Sequence, residues 1–296
     1  MIRCLVRLVL VALPALSGCL GQAQTGQGKF VIVGMGTAAD LITVRGQRVV
    51  AQADILLAEE GAIKEMWSGL VGGKQVWEWP HSLRKFYGAD PAKVANETQR
   101  AEAIRLEATR RDLIAKITAA VRSGKTVACL QGGDPMMYGM TLFLELLPAD
   151  VPTEIVPGVG AFQAASAALK RSPPYGYDTN AVILTMDDWP GRLDVNEKLM
   201  AAGSTMVFYT MNLDYPRLFE QLKRFYPPET PVAEVCDAGD PVHQRVIRST
   251  VGRFLADVDY RALPANRHML FVGKFLEVGQ ARKDFTPRVS EPAVKK

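Results

Sequence analysis

Thr126-Val-Ala-Cys-Leu-Gln-Gly-Gly-Asp-Pro-Met-Met-Tyr-Gly139 reads as a buried strand that stops at a glycine turn. Val127 to Leu130 is a short apolar run of the parallel-sheet type, too short for a helix. Gly132 and Gly133 permit backbone angles closed to other residues and let a ligand approach the main chain. Asp134 precedes Pro135 and is pushed towards an extended conformation. An apolar helix is expected from Met140 to Leu147. Strand, glycine turn and helix present main-chain donors and one carboxylate at the carboxyl end of an α/β sheet. A tight turn with Asp134 as an N-cap satisfies the same residues, so the turn alone leaves both readings open.

The flanking chain continues the alternation. Lys29 to Val33 is a first strand, followed by Gly34-Met35-Gly36. This GxG does not complete the dinucleotide pattern GxGxxG, because Ala39 fills the last position. Leu41 to Ala53 has helical spacing, with Leu41, Val44, Val49 and Val50 available for one face, and Asp54 to Ala58 is a second strand. Strand, helix and strand at this spacing predict a right-handed parallel crossover. Residues 60–91 read as irregular; Trp67, Trp77 and Trp79 either line a pocket or form a satellite core. Ala92 to Arg122 is a long amphipathic helix stopped by Ser123-Gly124.

Glu154 to Val156 is another strand, and Pro157-Gly158-Val159-Gly160 is a second glycine turn opening the helix Ala161 to Leu169. Two such turns at the ends of successive strands form two walls of one cleft. Arg171 to Asp178 holds two prolines and a glycine and is the linker. Beyond it the strands are Ala181–Thr185, Thr205–Tyr209, Val232–Cys236 and His268–Lys274, with helices near 194–202 and 212–225. The fold class is α/β, in two domains, 29–174 and 179–280, with a flexible basic tail at 281–296.

Of the 296 residues, 48% are hydrophobic and 22% charged, as in an ordinary globular protein. The net charge of +4 is mild and scattered, which gives nucleic-acid binding little support. The cysteines (4, 19, 129, 236) form no CxxC pair and the histidines (81, 243, 268) are far apart, so no metal site is predicted. Cys129 and Cys236 read as buried free thiols, or as a disulfide where two strand ends meet.

Residues 1–18 read as a signal peptide: Arg3 and Arg7 are a basic start, and Leu8 to Leu16 an apolar core too short to span a bilayer. Leu16-Ser17-Gly18-Cys19 resembles a bacterial lipobox, in which Cys19 becomes the lipidated N-terminus and residues 19–28 a polar tether. Loss of Arg3 and Arg7 takes the side-chain charge from +4 to +2. The expected location is the cell envelope, lipid-anchored at the periplasmic face; a plain secretory signal, or a misassigned start in front of a cytoplasmic enzyme, is the alternative.

Several stretches line up in order with one family. They are Val33-Gly34-Met35-Gly36 with Asp40-Leu-Ile-Thr-Val-Arg-Gly46, Ala53-Asp54, Gly132-Gly-Asp-Pro135 with Tyr138-Gly139, Val156-Pro-Gly-Val159, Thr205-Met-Val-Phe-Tyr209, Pro231-Val-Ala233 through Gln244, and Leu270-Phe-Val-Gly273. The chain resembles the tetrapyrrole methylases, the S-adenosylmethionine-dependent enzymes of sirohaem and cobalamin synthesis, and in wording the cobalt-precorrin-4 C11 branch most. The resemblance implies two α/β domains of the tetrapyrrole methylase type with a cofactor cleft between them, in a homodimer. Gly132, Gly133 and Asp134 would hold the methionine and ribose side of S-adenosylmethionine, with Met137 and Tyr138 beside it. Gly160 and Ala161 would supply main-chain contacts, Thr210 or Met211 would face the adenine, and Ala238 falls in the loop that closes over it. Gly36, Thr37 and Asp40 would lie on the tetrapyrrole side. The reaction needs alignment and exclusion of water rather than a strong acid-base pair, so no catalytic residue is assigned.

The chain also departs from the family. The first loop, Gly34-Met-Gly-Thr-Ala-Ala-Asp40, is one residue shorter than the family's G-x-G-P-G-D-P-D and lacks its proline. Thr185-Met-Asp-Asp188 stands where the family often has Thr-Arg, leaving Arg45, Arg84, Lys85, Arg192 or Arg245 to grip substrate carboxylates. S-Adenosylmethionine is made in the cytoplasm, which conflicts with an export signal. Two hypotheses follow: a working methyltransferase on a tetrapyrrole or related small molecule, or a membrane-anchored binding protein that kept the fold without the reaction.

Overall fold

The computed structural model describes residues 27–175, 179–211 and 213–278. The leader, Cys19, most of the tether, the end of the linker and the tail lie outside the described residues.

The first sheet is built from β1 (Phe30–Gly34), β2 (Ile55–Glu59), β3 (Gln75–Trp79), β4 (Val127–Gln131) and β5 (Thr153–Val156), in the order β3-β2-β4-β1-β5. Every pairing is parallel, with Phe30 beside Val127 and Gly34 beside Gln131. Alternation divides the side chains between two cores, as the pleat requires. Phe30, Ile32, Leu57 and Cys129 face one way with Ile117 and Phe143; Val31, Val33, Leu56 and Leu130 face the other with Val50.

The connecting helices start where side chains satisfy the first turn. In α1 (Val44–Gln52) the Thr43 hydroxyl accepts from the Gly46 N–H at 3.0 Å. Val44, expected on the buried face, is 64% exposed, and Ile42 packs beside Val50 instead. The long helix α2 (Glu97–Arg122) begins later than Ala92, because Asn96 caps it and Pro91–Lys93 forms a separate single turn capped by Asp90. The helix expected over 140–147 shrinks to α3 (Leu142–Leu146). The Gln131 carboxamide accepts from the Met140 N–H at 2.8 Å and holds the preceding residues as a turn.

Residues 60–91 are not all irregular, since β3 lies within them at the sheet edge. Trp79, 2% exposed, meets Phe143 edge-on at 5.6 Å, and Trp67 packs in the opposite core. These two tryptophans are core residues.

The second sheet contains β6 (Val182–Met186), β7 (Thr205–Tyr209), β8 (Pro231–Cys236), β9 (Arg245–Thr250) and β10 (His268–Val272), ordered β6-β7-β10-β8-β9. Only β6 and β7 run parallel; the other pairings are antiparallel. The edge strand β9 was not among the expected strands. One face carries α5 (Asn196–Met200), α6 (Tyr215–Phe225) and α7 (Phe254–Asp257), with Phe208, Phe219, Leu222 and Leu270 between them. The other face is covered by α4 (Ala161–Leu169), whose Ala165 and Leu169 pack on Val207, Ala233, Val235 and Phe271. The helix that follows the last strand of the first sheet therefore belongs, by packing, to the second. Cys129 and Cys236 are both buried and free.

Candidate functional site

The loops leaving the carboxyl ends of β1, β4 and β5 interlock through glycines. Gly133 N–H donates to the Gly36 carbonyl at 2.8 Å, and Gly36 N–H returns a bond to Gly133 at 3.3 Å. Both have positive φ, +69° and +76°, which favours glycine. A Cβ on Gly158 would sit 2.3 Å from the Gly133 oxygen and 2.7 Å from the Gly34 carbonyl carbon, so three main chains touch here. Gly132 differs: a Cβ there would meet nothing within 4 Å. Its surroundings are open, which is the space a ligand held by the main chain needs.

Asp134 follows Gly132 and Gly133 and is half-buried. One carboxylate oxygen accepts from the Met136 N–H at 2.8 Å, which makes a local turn; the other has no protein partner among the described residues. A Cβ on Gly160, the residue before α4, would lie 3.4 Å from the Asp134 Cβ. The two glycine turns thus abut at Asp134.

The opposite wall comes from the second sheet. Tyr138, held at φ +65°, sets its ring edge-on to Tyr209 at 5.0 Å and 72°. Burial pushes the Tyr209 phenol up to about 12, with Tyr138 and the Asp134 charge adding to the shift. The end of β7 is therefore opposite the Asp134 turn. Ala161, Tyr209 and Ala238 line the same apolar cluster. Thr210 is turned inward: it is buried, and its hydroxyl donates to the His268 carbonyl. Of the pair expected to face an adenine, Met211 is the one left half-buried.

The structure thus gathers Gly36, Gly132, Gly133, Asp134, Tyr138, Gly160, Ala161 and Ala238 around one cleft. Met137 is 39% exposed beside Met136, and Asp40 is exposed. Thr37 lies at the first loop, its hydroxyl buried with no hydrogen-bond partner. Sequence reasoning missed Tyr209; the Tyr at the end of Thr205-Met-Val-Phe-Tyr209 was the available signal. A separate hollow of about 280 Å³, lined by Ser204, Thr205, Tyr226 and Thr230, opens at the other end of β7.

Two of the proposed substitute cations are already engaged. Arg192 is 5% exposed and bonds Thr185 at 2.7 Å, the Met186 carbonyl at 3.0 Å and Asp194 at 2.9 Å. It holds the loop after β6 together. Lys85 pairs with Glu102 at 2.6 Å. Asp187 and Asp188 are equally committed, to Arg217 at 2.6 Å and to Arg192 at 3.4 Å. Arg45, Arg84 and Arg245 are exposed.

A main-chain turn bearing one carboxylate thus lies opposite an aromatic pair where two α/β sheets meet. A profile of the Tetrapyrrole (Corrin/Porphyrin) Methylases matches residues 29–255, and the chain belongs to that family, whose cofactor is S-adenosylmethionine. It is 31% identical to a precorrin-4 C(11)-methyltransferase from Mycobacterium tuberculosis, over 78% of this chain and 83% of that protein. It is 27% identical to a cobalt-precorrin-4 C(11)-methyltransferase from Methanocaldococcus jannaschii, over 75% and 79%. A siroheme synthase from Hydrogenovibrio crunogenus is 26% identical, but the chain spans only 50% of its length. Among solved structures, a cobalt precorrin-4 methyltransferase superposes with a TM-score of 0.67 at 23% identity, covering 84% of this chain and 96% of that one. A uroporphyrin-III C-methyltransferase from Thermus thermophilus, complexed with S-adenosylhomocysteine, gives 0.57 at 19% identity, over 84% and 99%.

The residues fit the cofactor. The open space at Gly132 and the available oxygen of Asp134 suit its amino-acid and ribose groups, and Ala161, Tyr209 and Ala238 suit a flat apolar ring. When bound, it supplies a sulfonium methyl group that is already activated. The chain has to align the acceptor carbon with it and exclude water.

Proposed function

We propose that this protein transfers the methyl group of S-adenosylmethionine to a carbon of a precorrin-4-type tetrapyrrole. The carrying observation is the Asp134 turn, which leaves one carboxylate oxygen unpaired next to the open position at Gly132 and whose charge is felt at Tyr209. The similarity to C(11)-methyltransferases supports this acceptor over the uroporphyrin type. The short first loop and the engagement of Arg192 leave the acceptor's carboxylates to other cations. The non-catalytic alternative has no observation in its favour among the described residues.

The test is calorimetric titration of S-adenosylhomocysteine into the protein. Micromolar binding is expected, and Asp134→Ala should weaken it about tenfold or more, the loss of one charged hydrogen bond. Absence of binding to well-folded protein would sink the reading. Transfer of labelled methyl to a precorrin-4 acceptor then checks the substrate.

Attachment to the envelope through Cys19 is part of the proposal and is carried by Leu16-Ser17-Gly18-Cys19 alone. Labelled palmitate should enter the wild type in cells and not Cys19→Ala; an unlabelled wild type overturns the lipid anchor. A homodimer is the assembly the resemblance implies.

A further inference from the structure

The two halves of the molecule meet at a point that the cofactor turns do not explain. Gly239 lies in the turn after β8 with φ +91°. A Cβ there would come within 2.5 Å of Leu41 Cδ1, 2.7 Å of Thr37 Oγ1 and 3.7 Å of Ala164 Cβ. Thr37 and Leu41 belong to the loop after β1, so main chain of the second half rests directly on side chains of the first.

Neither side of this contact is slack. On the Gly239 side, Asp237 N–H donates to the Arg267 carbonyl at 2.8 Å and Gly239 N–H to the Gln244 carboxamide at 2.8 Å. Asp240 accepts from the Val242 and His243 N–H groups at 2.8 and 3.1 Å, and Arg267 pairs with Asp237 at 3.1 Å. On the other side, Gly36 is tied to Gly133 by two main-chain bonds, so the loop carrying Thr37 and Leu41 moves with the Asp134 turn. The buried Thr37 hydroxyl makes no hydrogen bond, so this contact is held by shape. Leu41 Cδ1 is the tip of a flexible side chain and gives way readily, so the firm part of the contact is Thr37, β-branched and with its hydroxyl out of solvent.

We propose that Gly239 is a positioning residue: its contact with Leu41 and Thr37 is the stop that fixes the distance between the Ala238 loop and the Asp134 turn, and so the width of the cofactor cleft. The inference rests on the methyltransferase reading and adds to it a determinant remote from the chemistry. Bulk added on either side of the stop wedges the cleft open and weakens the cofactor's hold. The same stop ties the seating of the cofactor to the loop of Thr37 and Leu41.

The test measures S-adenosylhomocysteine affinity and thermal unfolding for the wild type, Gly239→Ala, Thr37→Ile, the double variant Thr37→Ala/Leu41→Ala and the triple variant Thr37→Ala/Leu41→Ala/Gly239→Ala. Gly239→Ala and Thr37→Ile should each weaken binding about tenfold or more, and the triple variant should return to within about threefold of the double variant, the non-additivity expected of residues in contact. The fall in Tm of Gly239→Ala comes from its positive φ and should persist in the triple variant, which separates strain from wedging. If Gly239→Ala does not fold, Thr37→Ile decides, since it adds bulk without backbone strain. Folded Thr37→Ile with wild-type affinity, or a triple variant as weak as Gly239→Ala, overturns the inference and leaves the methyltransferase reading standing. A wild type that does not bind overturns both.

Discussion

Glu234 lies on β8 wholly out of solvent, with the Tyr215 hydroxyl donating to one carboxylate oxygen at 2.8 Å and the other oxygen unpartnered. Burial pushes its carboxyl up to about 8, and the Tyr215 bond opposes this without cancelling it. The consequence for stability has a definite sign. In the unfolded chain the group releases its proton near the ordinary value of about 4.3. Between there and about 8 the folded protein binds more protons than the unfolded one, so stability falls as pH rises through that window and levels off above it. Glu234→Gln carries no such proton. Chemical denaturation should show the variant gaining on the wild type as pH goes from 5 towards 8. A constant difference across that range would mean that Glu234 is ionised in the fold.

At the scale of elements, the interlocked turns use one residue type for two purposes. Gly158 is needed for room: a Cβ there would collide with the Gly133 oxygen, and Gly158→Ala should cost about 1–3 kcal/mol in folding stability, the range for overpacking. Gly132 is needed for access. Its Ala variant should fold within about 0.5 kcal/mol of the wild type, as a surface change does, yet lose affinity for S-adenosylhomocysteine because the added methyl occupies the open space. Denaturant titration and calorimetry on both variants check the contrast, and a Gly132→Ala protein with unchanged affinity would move the ligand elsewhere. The strands explain which elements could be read in advance. β1 and β4 are buried on both faces and appear in the sequence as continuous apolar runs. The edge strands β3, Gln75-Val-Trp-Glu-Trp79, and β9, Arg245-Val-Ile-Arg-Ser-Thr250, expose much of their length and carry charge, so nothing marks them as strands before their neighbours are in place.

For the whole molecule, α4 is the part that joins the halves. It leaves the second glycine turn of the first sheet and buries Ala165 and Leu169 against the second. The break at the prolines after Arg171 is a real interruption of periodicity, but the packing boundary lies ahead of α4, near Gly160. The halves are therefore joined by three tertiary contacts: α4 on the second sheet, Tyr138 against Tyr209, and Gly239 against Leu41.

The sequence by itself determined the two α/β units, the positions of most strands, both glycine turns and the carboxylate in the first of them. Those features rest on local signals: apolar runs, positive-φ glycines and the residue before a proline. Only the tertiary structure decided that Trp79 is core, that Arg192 is consumed by its own loop, that the buried Thr210 hydroxyl bonds the His268 carbonyl, and that Gly239 meets Leu41. Each of those depends on which distant segment arrives beside the residue, and a contact between positions far apart in the chain leaves no periodicity in either segment.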